Sequence, residues 1–171
     1  LRPQVELVTR FDERFDRFAD RALSRLGIAP VKDAAYLRWR YHHWPHLRTT
    51  TFATSNRARE LRGFIVLREP EPGEPGGRIL DLVFDPEDAR AGLTLLATAI
   101  RHYREARQPR VEIVATSPIL QRALRPLLFV PRGRPLPLFV MNAKKYADPE
   151  FLLRVEHWHH AYGDSEGGEV P

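Results

Sequence analysis

Three consecutive stretches constrain this chain more than anything else in it: "GRILDLVFD" at 77–85, Asp88 to Arg107, and "RVEIVAT" at 110–116. The outer two are short, rich in branched and aromatic side chains and flanked by turn residues, so each reads as a strand. The middle one is long and helically periodic, with Leu93, Leu96, Ala97, Ile100 and Arg104 on one stripe and Tyr103 beside it. Strand, helix and strand in that order close as a right-handed crossover with parallel strands. The turn-rich "PEPGEPGG" precedes the first strand, so "ELRGFIVLRE" at 60–69 pairs with it as an antiparallel hairpin. The sheet is therefore mixed and flanked by helices. This is an α/β class, an α+β sandwich, not a doubly wound fold.

The remaining text fits around that unit. "FDERFDRFADRAL" repeats Phe11, Phe15, Phe18 and Ala22 at helical spacing between charges, which predicts an amphipathic helix ending near Gly27 and Pro30. Asp33 caps a second helix through Tyr41 that must end before Pro45. "LRTTTFAT" at 47–54 reads as a strand. Ser117 and Pro118 open a helix carrying Leu120, Ala123, Leu124 and Leu127, which Pro126 shortens or kinks. "PLPLFVMNA" at 135–143 supplies a last strand and "DPEFLLRVEHW" at 148–158 a short helix. Residues 1–162 form one domain, and 163–171 a flexible tail.

Composition narrows the function classes. A 171-residue chain with 43% hydrophobic residues is long enough for one sizeable core. Its best apolar run, Leu93 to Ile100, falls far short of the roughly 20 residues that span a bilayer. The start lacks the regions of a secretion signal, so a cytoplasmic location is expected. With no cysteine there are no disulfides, thiolate nucleophiles or Cys-based metal sites. The +5 charge is spread along the chain and dominated by Arg, without the basic stripe of a nucleic-acid binder.

The densest candidate stretch is "YLRWRYHHWPH" at 36–46. Its His42 and His46, with His157 and His160 near the other end, have spacings that zinc sites use. No carboxylate or cysteine completes a familiar pattern. Its aromatics could stack on bases or sugars. The simpler reading is an anchor: Leu37, Tyr41 and Trp44 bury against the sheet while Arg38 and Arg40 reach carboxylates. Tyr146, Trp158 and Tyr162 likewise read as packing for the final helix.

Element order and local text together resemble the GNAT N-acetyltransferase superfamily. "KDAAYLRWRYHHWP" is similar to a "DaeYLrWRY…P" signature, "ALRPLLFVPRG" to an "LxxxGFxxxG" passage and "HWHHAYGDSE" to a closing "WyltxGDsD". These texts belong to the C-terminal GNAT-like unit of long bacterial polysaccharide- and envelope-associated members, and the likeness spans roughly Phe11 to Glu166. A chain beginning without Met fits such a second unit, with a preceding GNAT domain as partner.

The resemblance implies a GNAT-like acyl-CoA N-acyltransferase fold. It implies acetyl-CoA in an opening beside Leu82, Val83 and Phe84, with its diphosphate at the next helix's N-terminus by Arg90, Ala91, Gly92 and Leu93. The acceptor would be a small-molecule amine, such as an amino sugar. At the phosphate motif Q/R-x-x-G-x-G/A this chain reads "EDARAG": Glu87 stands for the expected Arg or Gln, Arg90 replaces a glycine, and only Gly92 matches. The usual Tyr proton donor of the helix after Ser117 is missing, and Arg125 stands near its place. Among Ile79, Asp81, Val83 and Asp85, which alternation puts on one face, Asp81 is the candidate general base, because burial raises a carboxyl pKa. The competing reading ties Asp81 to Arg38 or Arg40 as a structural link. Two functions follow from the resemblance: an active N-acyltransferase, or a degenerate GNAT-like domain without cofactor that serves as structural or binding partner of a catalytic domain.

Overall fold

A computed structural model describes residues 4–44, 46–71, 73, 76–132 and 148–164. Five strands lie side by side in sequence order: β1 (Gln4–Leu7), β2 (Thr49–Ser55), β3 (Leu61–Arg68), β4 (Gly77–Phe84) and β5 (Val111–Ile113). β1 to β4 are antiparallel neighbours, and β5 joins β4 in parallel. The mixed sheet expected from the hairpin and crossover is present. β1 has no counterpart in the sequence reading, because four residues of edge strand carry too little alternation to register.

Helices cover both faces. α1 (Glu13–Ala22) starts at Asp12, whose carboxylate accepts from the Arg14 N–H. Phe11, Phe15, Phe18 and Ala22 are all buried, as their spacing predicts. α2 (Ala34–Leu37) is capped by Asp33 and continues as a π turn over Arg38–His42, so the expected helix bulges by one residue. Together these helices pack on Phe64, Val66, Leu80 and Val83. The opposite face buries Ile65, Leu67, Ile79, Leu82 and Phe84 under α3 (Ala89–Glu105) and α4 (Pro118–Leu124). A short α5 (Pro149–Leu153) follows. The strand expected at 135–143, Pro45 and Tyr146 lie outside the described residues.

Two phase errors in the sequence reading have physical causes. On α3 the buried stripe is Leu95, Leu96, Ala99 and Tyr103, whereas Ala97 is exposed and Leu93 only half-buried. Two adjacent apolar stripes compete on that helix. The small Gly92 decides, since it lets the helix close on the Phe84 ring, where a Cβ would stand 2.8 Å away. On β4 the register slips, with Val66 opposite Asp81 but Leu67 opposite Ile79, leaving Leu80 as an extra residue. Ile79 therefore faces α3, while Leu80 and Val83 face α1 and α2. The expected shared face of Ile79 and Asp81 does not exist.

Tyr103 closes the α3 side. It is fully buried, and its hydroxyl lies 2.9 Å from the Arg68 carbonyl and 2.7 Å from that of Arg78, so it donates between the ends of β3 and β4. Tyr103→Phe should lower stability by about 1–2 kcal/mol, the cost of leaving buried acceptors short of a donor. A urea-unfolding midpoint unchanged from the parent chain would contradict this role.

Candidate functional site

The parallel pair β4–β5 holds together only from Gly77–Ile79 against Val111–Ile113. Past that point the strands part, which is why "RVEIVAT" yields three strand residues rather than seven. The Asp85 N–H bonds the Arg62 carbonyl on the β3 side, so alternation turns the Leu82 carbonyl toward the opening. An opening between diverging parallel strands exposes backbone acceptors that something must satisfy.

Here the chain's own residues 157–164 enter the opening, and His159 satisfies the acceptor at Leu82. The imidazole Nε2 of His159 lies 3.0 Å from the Leu82 carbonyl, and Nδ1 lies 3.3 Å from the Ser117 hydroxyl on the far side of the opening. Thr116, just beyond β5, accepts from the His160 N–H at 3.0 Å and donates to the Trp158 carbonyl. The neighbouring loop joins in: Ile28 N–H bonds the His157 carbonyl, and His159 N–H bonds the Ile28 carbonyl, both at 2.8 Å. Gly27 permits this approach. Its φ is +83°, and a Cβ there would meet the His157 carbonyl oxygen at 2.5 Å.

A buried ionic cluster locks the end of the same segment. Lys32 and Asp81 have no exposed surface. The Lys32 ammonium sits 2.7 Å from Asp81 Oδ1 and 2.8 Å from Asp164 Oδ1. Tyr41 donates to Asp81 Oδ2 at 2.9 Å, and Arg40 Nε donates to the Gly163 carbonyl at 2.6 Å. Asp164 folds back to accept from the Ala161 N–H. Burial opposes the Lys32 charge, but the two carboxylates outweigh it and raise its pKa. Burial, helped by Asp164, raises Asp81 against the pull of Lys32 and the Tyr41 hydrogen bond. Burial also pushes the Tyr41 phenol well up, so it remains a donor. Two carboxylates around one ammonium make a strong tie between sheet, loop and C-terminal segment.

The N-terminus of α3 is equally occupied. Asp88 caps it, accepting from Ala91 N–H at 3.1 Å, and the Asp85 carboxylate accepts from Glu87 N–H at 3.0 Å. Arg62 bridges Asp85 and Asp88, and Arg25 reaches Glu87 at 2.9 Å. Three carboxylates thus share two guanidiniums at this corner.

The residues singled out from the sequence fall as follows. Asp81 is buried as expected, yet its partner is Lys32, not Arg38 or Arg40. The bulge at Leu80 aims Asp81 toward the loop before α2, where Lys32 lies. Arg38 reaches the carbonyl of Phe11, and Arg40 reaches that of Gly163. Leu37 and Tyr41 anchor the second helix, but Trp44 is 37% and Trp39 56% exposed, with Trp39 beside the Tyr36 ring and Arg40 over Trp44. Leu82 presents its carbonyl to His159, Val83 packs toward α1, and Phe84 lies under Gly92. Ala91 N–H is held by Asp88, Leu93 is half-buried, and Arg90 and Arg125 are exposed.

The His42 ring lies tilted against Phe11, and His157 stacks on Phe151. Among the described residues, no three His, Asp or Glu side chains gather as metal ligands would. Gly163 and Asp164, placed at the start of a tail by the sequence reading, are pinned inside. Lys32 and His159 carry no signal in that reading. Among the described residues, no helix is long and apolar enough to cross a membrane.

No protein-family model matches this chain, and no curated protein matches it in sequence. Its fold does match solved structures. An acetyltransferase of Trypanosoma brucei aligns at TM-score 0.54 and 20% identity, over 81% of this chain and 99% of its own. A "probable acetyltransferase" aligns at 0.56 and 14%, over 82% and 100%. A protein of Thermus thermophilus aligns at 0.51 and 19%, over 81% and 98%. The chain has an acetyltransferase-like fold.

Proposed function

We propose that this chain is the degenerate form of the acetyltransferase-like fold: a domain that does not use acyl-CoA and serves as a structural or binding partner of a catalytic domain. The observation that carries this reading is the self-occupied opening. A pantetheine chain laid between β4 and β5 needs the acceptor at Leu82, which His159 already engages. The corner where a diphosphate would rest carries Asp85, Glu87 and Asp88, and the side chains of Asp85 and Asp88 already hold the Glu87 and Ala91 N–H groups. An anion there meets three carboxylates, and two of the N–H groups that could receive it are already taken. The residues present do not fit acetyl-CoA.

Asp81 supports the same conclusion. Its raised pKa suits base chemistry in isolation, but both its oxygens are engaged by Lys32 or Tyr41 and none of its surface is exposed. It is a positioning residue in this reading. The alternative, an active N-acyltransferase taking an acyl-CoA and an amine, draws on the diverging β4–β5 framework alone.

Calorimetry with acetyl-CoA at pH 7 separates the two. Absent or millimolar binding is expected. A micromolar dissociation constant would overturn the proposal and restore the transferase.

A further inference from the structure

The segment in the opening is held by two unlike sets of contacts. Its far end is clamped by charge, through Lys32 to Asp164 and Arg40 to the Gly163 carbonyl. Its near end is held by neutral hydrogen bonds centred on His159, which is 1% exposed. A carbonyl only accepts, so the contact to Leu82 fixes the imidazole proton on Nε2. Nδ1 then holds a lone pair, and the Ser117 hydroxyl donates to it. Burial first, and Lys32 second, favour the neutral form of the seated imidazole.

Resting on the reading above, we propose that residues 157–164 are an intramolecular ligand of the β4–β5 opening, seated at neutral pH and released on acidification while the sheet stays folded. Geometry supplies the linkage: with Nε2 committed to the Leu82 carbonyl, a second proton has only Nδ1 to go to, in a core site where it would displace the Ser117 hydroxyl from its donor role. The charged groups around His159 are Lys32 from the loop before α2, with Asp81 of β4 behind it, and His160 and Asp164 from its own segment. Ser117 at the start of α4 is uncharged. Asp164 and the hydrogen bond to Leu82 favour an imidazolium, but burial and Lys32 outweigh them. Burial first, and Lys32 second, hold His159 down to about 4, against an ordinary 6.5.

The sign follows. A depressed histidine pKa means that the released state takes up a proton first. The seated state is fully favoured above pH 6.5 and loses ground as pH falls toward 4. The difference of 2.5, from 6.5 to 4, corresponds to a shift of about 300-fold in the seated-to-released ratio. Strands β2, β3 and β4 contain no histidine, so imidazole titration does not act on their ladder directly, and the control amides are taken from β3.

Pulsed hydrogen exchange on the whole chain, corrected for intrinsic rates, tests this between pH 7 and 4.5. The amides of Ile28, His159 and His160 should lose roughly 100-fold protection below pH 6.5, while Phe64 to Val66 keep theirs. Parallel loss in both groups, or no loss in either, would overturn the proposal. His159→Gln keeps a donor for the Leu82 carbonyl but takes no proton, so its profile should be flat. A profile as steep as that of the parent chain would count against His159 as the trigger. Should that variant not fold, NMR titration of the His159 ring in the parent chain replaces it: a midpoint below 5 supports release by this residue, and one near 6.5 refutes it. Micromolar acetyl-CoA binding at pH 7 with the segment protected would remove only the functional reading. A flat exchange profile without acetyl-CoA binding would remove only this one.

Discussion

Lys32→Met is expected to lower the unfolding free energy by about 3–5 kcal/mol, the usual cost of leaving buried charge without its partner. Met has nearly the length of Lys, so packing survives and the loss reports on charge. Without the ammonium, Asp81 and Asp164 face each other across a site with almost no exposure, 0% and 4% for their side chains. One of them must then take up a proton or drag its element toward water. Adding Asp81→Asn in the Lys32→Met background should recover part of the loss, because the amide removes one of the two charges. The two changes will therefore not add, as expected for residues in one network. Urea unfolding of the four chains in this cycle provides the check. A single-variant loss below about 1 kcal/mol would mean that the cluster is not the tie described above.

Gly163→Ala is the second large effect. A Cβ at Gly163 would lie 1.9 Å from the Tyr41 hydroxyl oxygen and 3.1 Å from the Leu80 carbonyl oxygen. Tyr41 is a buried core residue and its hydroxyl is committed to Asp81, so it cannot swing aside cheaply. Either that hydrogen bond breaks or residue 163 withdraws and loses Arg40. The expected cost is about 2–3 kcal/mol, or a fall in Tm of roughly 5–10 °C. Calorimetric melting within 2 °C of the parent would show that the segment adapts without strain.

The sequence discloses the fold better than the site, for reasons visible in particular residues. The strand–helix–strand run and the phenylalanine stripe of α1 are periodic, and periodicity survives in sequence because it repeats the geometry of one element. Lys32 does not repeat anything. In "APVKD" it looks like any solvated lysine, and only Asp81 and Asp164, from distant parts of the chain, make it a buried one. His159 is similar, since its acceptor is a carbonyl that becomes available only because β5 turns away from β4. The degraded "EDARAG" is informative because it is local: Asp85, Glu87 and Asp88 act within one turn of where they are written. Asp81 stands out by its place in an apolar strand, but its partner does not, because simple alternation does not foresee Leu80.

The bulge at Leu80 and the π turn at Arg38–His42 are each a single residue out of step, one in a strand and one in a helix. They meet at the Tyr41–Asp81 hydrogen bond. Removing either surplus residue would leave most of the hydrophobic layering intact, yet it would rotate phenol or carboxylate away from the other. A chain shortened by one residue at either place would thus keep its shape but lose its grip on its own C-terminal segment.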